Sequence, residues 1–217
     1  MDHARARINM VENQLRPSRI EDPRLLDAMR EVPRERFLPK LLRGVAYADE
    51  DLLLPGGGHL IEPLVLARLI EAARIRPQDV VLVIGCTTGY AAVVLARMAA
   101  TVILLQLDSD AAERVERLLE ELAVDNVVVV TGDDPRAGHP SQAPFDVVLL
   151  VGAVEAVPPA LLEQIGEGGR LVAVVDDGRI GKGTLFTRLH GVIGSQVMFD
   201  AQIPRLPGLP QRVEFAF

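Results

Sequence analysis

The stretch Val80-Val81-Leu82-Val83-Ile84-Gly85-Cys86-Thr87-Thr88-Gly89-Tyr90 decides the fold of this chain. Five residues that favour β-strands run into a turn with two glycines, and residues 91–100 then have the composition of a helix. Glycine lets the backbone approach a ligand closely, and a helix N-terminus presents free N–H groups. This order of strand, turn and helix is typical of the cofactor crevice of doubly wound α/β domains. A tight strand-to-helix turn that binds nothing is the alternative.

Apolar strands and helices alternate from residue 80 onward. Near-continuous apolar strands separated by helices predict a parallel sheet that is covered on both faces. After residue 178 a two-residue alternation predicts antiparallel strands along one edge of the sheet. The predicted fold class is therefore α/β, with a doubly wound, mostly parallel, Rossmann-like sheet. The predicted strands are 80–84, 102–107, 127–131, 145–151, 170–175, 184–189, 196–199 and 213–217, and the predicted helices of this part are 88–99, 110–123 and 159–165.

The first 78 residues have a different character. Helical periodicity and an N-cap at Asp22 followed by Pro23 predict helices before and after a glycine-rich loop at 55–63. We expect a helical cap with its glycine loop at 1–78 and a core at 79–217, which together form one compact unit with the loop over the crevice. The predicted helical segments of the cap are 4–15, 22–32, 33–42 and 64–73, with a partly extended link at 46–54.

Composition excludes several classes of function. The chain has 217 residues, enough for a full core, and 49% of them are hydrophobic. A net charge of −7 disfavours a nucleic-acid or anionic-membrane partner, and no apolar stretch reaches the ~18–20 residues of a membrane helix. The single cysteine, Cys86, is typical of a cytoplasmic protein. His139 and His190 lack metal-ligand spacing, so we predict no metal site. The apolar composition is compatible with a homodimer.

A series of short sequence blocks runs along nearly the whole chain, including the helical cap. The blocks are Met10-Val11-Glu12-Asn13-Gln14-Leu15, Asp22-Pro23-Arg24-Leu25-Leu26-Asp27-Ala28-Met29, Val32-Pro33-Arg34-Glu35-Arg36-Phe37-Leu38-Pro39, Ala46-Tyr47-Ala48-Asp49, Ile84-Gly85-Cys86, Gly89-Tyr90, Gly132-Asp133, Ala143-Pro144-Phe145-Asp146, Val157-Pro158, Leu161-Leu162 and Gly168-Gly169-Arg170-Leu171-Val172. In their content and order these blocks resemble the protein-L-isoaspartate O-methyltransferase family, which is part of the class I S-adenosylmethionine-dependent methyltransferases.

The resemblance implies methyl transfer from S-adenosylmethionine to a carboxylate, that of an isoaspartyl residue or another carboxyl acceptor in a protein or peptide. A carboxylate is already a nucleophile at neutral pH, so such a site positions the reactants and excludes water rather than supplying a strong base.

The resemblance also assigns cofactor-binding residues. Gly85 and Gly89 correspond to the loop that holds the methionine end of the cofactor. Gln106 stands where the family has an acid for the ribose hydroxyls, or alternatively caps a strand end. Asp133 corresponds to the residue that meets the adenine amino group, or alternatively forms a turn. Two further positions depart from the family, since Val83 replaces an acid and Thr87 replaces a glycine.

The acceptor side departs further from the family. Ile61 occupies the position of a serine whose hydroxyl lies near the acceptor carboxylate, and Ile61 has no group to donate. His59 is the candidate catalytic residue, as a donor that orients the carboxylate, with a solvated loop histidine as the alternative. Glu62 would repel a carboxylate acceptor unless it points away.

These departures leave two functions open. The chain is either an active carboxyl methyltransferase or a pseudoenzyme that keeps the fold as a binding or scaffold module. A nicotinamide dehydrogenase is disfavoured because the turn from Gly85 to Gly89 lacks the pyrophosphate glycines and Gln106 is not the ribose acid.

Overall fold

The structure is a computed structural model that describes residues 2–55, 57–176 and 178–208. Its N-terminal part is helical, as the sequence predicts, and it also contains one small two-stranded sheet that the sequence does not predict. The elements of this part are α1 (His3–Met10), a π-helical turn (Val11–Leu15), α2 (Pro23–Glu31), two 3-10 helices (Arg34–Phe37 and Lys40–Val45), β1 (Leu52–Leu53), β2 (His59–Leu60) and α3 (Pro63–Ala73).

The rest of the described chain alternates strands and helices and then ends in a β-hairpin. These elements are β3 (Val80–Ile84), α4 (Tyr90–Ala96), β4 (Thr101–Gln106), α5 (Ser109–Glu121), β5 (Val127–Thr131), a 3-10 turn (Pro140–Gln142), β6 (Phe145–Val154), α6 (Pro159–Glu163), β7 (Ile165–Val175), β8 (Lys182–Leu189) and β9 (Val192–Asp200).

One seven-stranded sheet has the order β5-β4-β3-β6-β7-β8-β9. The pairs from β5 through β7 are parallel, whereas β8 and β9 are antiparallel to their neighbours. The order reverses between β3 and β6, and ligands bind at such a switch point in open α/β sheets. The predicted Rossmann-like fold with antiparallel edge strands is therefore confirmed. The third predicted edge strand, 213–217, lies outside the described residues.

Several predicted boundaries are wrong, each for a physical reason. The helix predicted at 159–165 ends at Glu163, because the Gln164 carbonyl accepts a hydrogen bond from the Phe145 N–H (2.8 Å) and the chain continues into β7. The helix predicted from residue 88 begins at Tyr90, because Gly89 has a left-handed conformation (φ 82°). The predicted helix 33–42 is two 3-10 helices, which are interrupted at Leu38 and Pro39. The predicted edge strand 196–199 begins earlier, at Val192, because its pairing with β8 starts there.

The N-terminal part and the sheet share one buried core. A single cluster of buried side chains includes Met10 and Ile70 from the first part together with Val81, Leu104 and Leu149 from the strands. A smaller cluster covers the other face of the sheet. Among the described residues, no helix combines the length and the apolar character that crossing a bilayer requires.

Candidate active site

The glycine turn after β3 lies at the switch point of the sheet. Gly85 and Gly89 both have positive φ, +88° and +82°. A Cβ on Gly89 would lie 2.8 Å from Val115 Cγ1, so only glycine lets α5 pack against this turn. The local sequence thus explains how the chain leaves β3 and enters α4 within five residues.

A cavity of about 1270 Å³ opens at the carboxyl ends of β3 and β4. Its wall combines the turn after β3, one face of α5, the glycine loop and the 3-10 helices of the N-terminal part. Gly57, Gly58, Gly85, Thr87, Gln106 and Val115 are among the residues that line it. The predicted position of the glycine loop over the crevice is therefore correct.

Gln106 ends β4 and is 2% exposed. Its Nε2 donates a hydrogen bond to the Cys86 carbonyl at 3.1 Å, which leaves Oε1 to accept one from a ligand. The amide thus ties a strand end to the turn and also lines the cavity, and its contact with a ribose hydroxyl stays a prediction.

Asp133 lies outside this arrangement. Among the described residues, the cavity wall includes Gln106 but not Asp133, which is exposed. Its neighbour Asp134 is paired with Arg136 (2.9 Å). The predicted contact of Asp133 with an adenine amino group stays a prediction.

Thr87 and Val83 show how the two departures in the turn fit the fold. Val83 is fully buried in the main core. A Cβ on Gly58 would lie 2.5 Å from Thr87 Oγ1, so the glycine loop lies directly on the Thr87 side chain. Thr87 Oγ1 is itself buried without a hydrogen-bond partner among the described residues. The threonine thus fills the gap between the turn and the loop.

His59 is turned away from the cavity wall. It is 4% exposed, and its Nε2 lies 3.2 Å from the Val151 carbonyl. Burial lowers the pKa of His59, which favours the neutral ring that donates to this carbonyl. The alternative of a solvated loop histidine is wrong, and a role in orienting a carboxylate stays a prediction. Ile61, at the family's serine position, is fully buried.

Glu62 lies among other acids at the start of α3. Its backbone N–H donates to Asp51 Oδ1 at 2.9 Å, and that of Leu64 donates to Asp49 Oδ1 at 3.2 Å. Desolvation, followed by the charges of Asp49 and Asp51, raises the pKa of Glu62 to about 7. The repulsion expected between Glu62 and a carboxylate acceptor is therefore reduced below neutral pH.

Arg34 is a positioning residue that sequence reasoning missed. It is fully buried, and its Nε and Nη2 donate to the carbonyls of Ala46 (2.7 Å) and Ile61 (2.6 Å). Its guanidinium carbon lies 4.9 Å from the ring centroid of Tyr90, the first residue of α4. Arg34 thereby ties the segment after the glycine loop to the helix that follows the turn. The run Arg34-Glu35-Arg36 has the composition of a solvated surface, so nothing local marked its first residue as buried.

The chain has a class I, Rossmann-like methyltransferase fold. This fold is defined by the strand order, the antiparallel edge strands and the cavity beside the glycine turn at the switch point. The chain matches the protein-L-isoaspartate(D-aspartate) O-methyltransferase family over residues 6–195, and it belongs to that family.

Individual relatives agree with this assignment. A protein-L-isoaspartate O-methyltransferase of Koribacter versatilis is 43% identical over 169 residues, 78% of this chain and 76% of the relative. One from Gloeobacter violaceus is 39% identical over 207 residues, 93% and 99% of the two chains. A solved protein-L-isoaspartate O-methyltransferase superposes with a TM-score of 0.80 at 25% identity, covering 94% of this chain and 66% of that one. A Plasmodium falciparum structure in complex with S-adenosyl-L-homocysteine has the same fold, with a TM-score of 0.78 at 20% identity, over 92% and 97% of the chains.

Proposed function

We propose that this chain transfers a methyl group from S-adenosylmethionine to the side-chain carboxylate of an isoaspartyl residue in a protein or peptide. The observation that carries the proposal is the cavity at the switch point, which brings Gly85, Gln106 and the glycine loop together. Membership of the family and the named activity of its relatives support the same reaction.

The nucleoside end of the cofactor fits the described residues. The cavity exceeds the ~300–1,000 Å³ of typical small-molecule sites. Gln106 Oε1 accepts from a ribose hydroxyl in this proposal, and Gly85 lets the methionine end approach the backbone of the turn. Gly89 is buried against Val115 and is not among the residues that line the cavity, so its predicted contact with the cofactor stays a prediction. Asp133 and His59 would have to change position or partner before they take the roles that the resemblance implies.

When bound, the cofactor supplies an electrophilic methyl group on a sulfonium. The chain's own residues bind, orient and exclude water, since a carboxylate acceptor needs no strong base. Gly58 lies directly against Thr87, so the glycine loop covers part of the turn. Arg34 donates a hydrogen bond to the Ile61 carbonyl and so holds this backbone in place, at the position where the family has its acceptor-side serine.

A binding module without catalysis is the second candidate, and one observation favours it. Neither of the two acceptor-side residues that the resemblance singles out is free to contact an acceptor. Ile61 is fully buried, and His59 is hydrogen-bonded to the Val151 carbonyl. A chain of this kind would bind a nucleoside ligand without orienting an acceptor.

Calorimetric titration with S-adenosylhomocysteine, followed by a methyl-transfer assay, separates the candidates. We expect binding with a Kd near 1 μM, about 8 kcal/mol, and methyl transfer to an isoaspartyl peptide but not to its aspartyl isomer. Binding without transfer would support the binding module. Absence of heat and of a thermal shift at millimolar ligand would refute the methyltransferase proposal.

Gln106→Ala tests the proposed site directly, with Gln164→Ala as its matched control. Both glutamines are buried and donate to backbone carbonyls, but Gln164 bonds Ala137 O (2.8 Å) away from the cavity. We expect only the first variant to lose affinity for S-adenosylhomocysteine. Equal affinities would show that Gln106 does not contact the ligand.

A further inference from the structure

A short segment after β9, residues 201–208, crosses the carboxyl ends of the central strands; we refer to it as the strap. It begins where the Ala201 N–H donates to the Gly181 carbonyl (2.9 Å). It then runs parallel to the end of β6, with the Ala153 N–H donating to Pro204 O and the Leu206 N–H donating to Ala153 O, both at 2.8 Å. The last pair between β3 and β6 is Ile84 with Leu150, so the strap takes the place beside β6 that β3 leaves vacant.

Leu206 fills the space over the glycine turn. It is 2% exposed, and a Cβ on Gly85 would lie only 2.3 Å from its Cδ1. A Cβ on Gly152 would lie 2.6 Å from the Leu206 Cα, so two glycines accommodate this one residue. The room that Gly85 opens above the turn is therefore filled by a leucine side chain of the same molecule.

The strap continues over the next strand end. A Cβ on Gly208 would lie 2.6 Å from Cδ1 of Leu107, the residue after β4. Pro207 and Gly208 line the cavity beside Gln106. The strap thus packs Leu206 against one side of Gly85 and forms part of the cavity wall, and Gly85 and Gln106 still line the cavity.

We propose that the strap is an intramolecular occupant of the crevice, and that full binding of the cofactor requires Leu206 to leave Gly85. The proposal rests on the proposed function, because it assumes that the methionine end of the cofactor lies over Gly85. The strap is held to β6 by the two hydrogen bonds at Ala153 and by the burial of one large side chain. The apparent affinity is then the intrinsic affinity reduced by the fraction of molecules whose strap is open.

Leu206→Ala tests this competition, with Leu161→Ala as the matched control. Both leucines belong to the smaller buried cluster, but Leu161 is on α6, away from the turn. Both variants should lose thermal stability. We expect Leu206→Ala to bind S-adenosylhomocysteine at least tenfold more tightly than the wild type, and Leu161→Ala to bind with unchanged affinity. Equal affinity of all three proteins would overturn the strap proposal and leave the proposed function standing.

Hydrogen exchange in the wild-type protein distinguishes a strap that is displaced by the ligand from one that is a fixed wall of the site. Displacement of the strap breaks the hydrogen bonds of the Ala153 and Leu206 amides, so a saturating concentration of S-adenosylhomocysteine should speed their exchange. If the strap is a fixed wall of the site, the ligand will slow exchange at the same amides, and the proposal fails. If neither the wild type nor Leu206→Ala binds S-adenosylhomocysteine, the proposed function fails as well, because removing the leucine has not exposed a site.

Discussion

Replacing the buried Arg34 by alanine should strongly destabilise the protein. The change removes two charge-assisted hydrogen bonds, to the carbonyls of Ala46 and Ile61, each worth about 1.5–3 kcal/mol. It also removes the stacking on Tyr90, worth about 0.5–2 kcal/mol. The cost of burying the guanidinium, which lowers the pKa of Arg34, offsets part of this loss. We expect the free energy of unfolding to fall by about 3–5 kcal/mol.

The measurement is urea unfolding followed by far-UV circular dichroism, with Arg68→Ala as the matched control. Arg68 also stacks on an aromatic ring, that of Phe199 at 5.7 Å, but it is only half-buried. The control should lose less than about 1 kcal/mol. A loss of similar size in the two variants would refute the conclusion that Arg34 joins the glycine-loop segment to α4.

Three further predictions concern Glu62 and the glycine turn after β3. The folded state keeps the Glu62 proton up to a pKa of about 7, whereas the unfolded chain releases it near 4.5, so the free energy of unfolding falls as pH rises between these values. Glu62→Gln should flatten this slope in thermal melts, and an unchanged slope would contradict the assignment. Gly89→Ala should cost about 1–3 kcal/mol or more in urea unfolding. This loss of stability should be larger than that of Gly168→Ala. Gly168 also has a positive φ, but no atom lies within 4 Å of the methyl group that the substitution adds. Val83→Asp combined with Thr87→Gly should tighten binding of S-adenosylhomocysteine in calorimetry, and unchanged affinity in a folded variant would show that the turn has been misread.

The sequence predicts correctly those parts of the fold that depend on local residue patterns. The strand at 80–84 matches its predicted bounds, because a parallel strand covered on both faces needs a continuous apolar run. The strand at 127–131 matches as well, although it lies at the edge of the sheet and Val128 is exposed. β7 begins at Ile165 rather than at residue 170, because its first pairing, with Phe145, depends on a strand about twenty residues earlier in the chain. No local pattern contains that information.

The same difference between local patterns and long-range contacts applies to the candidate site. The family resemblance assigns Gly85 and Gln106 to the cofactor site, and both residues line the cavity. The partner of His59, the Val151 carbonyl, lies 92 residues away in sequence, so the loop pattern suggested solvent where the structure has a hydrogen bond. Leu206 lies in a stretch without periodicity, and its contact with Gly85 depends on the completed sheet. The strap was therefore not predictable from its own sequence.

The buried Arg170 of β7 affects when the N-terminal part can finish folding during synthesis. Its Nε and Nη2 donate to the carbonyls of Ala73 and Arg74 at the end of α3, and it is paired with the buried Asp79. These two carbonyls lie 97 and 96 residues before their donor in the sequence. While the chain emerges from the ribosome, α3 is complete long before its last carbonyls acquire a partner. We therefore expect the helical N-terminal part to remain open to chaperones and proteases until β7 has been synthesised.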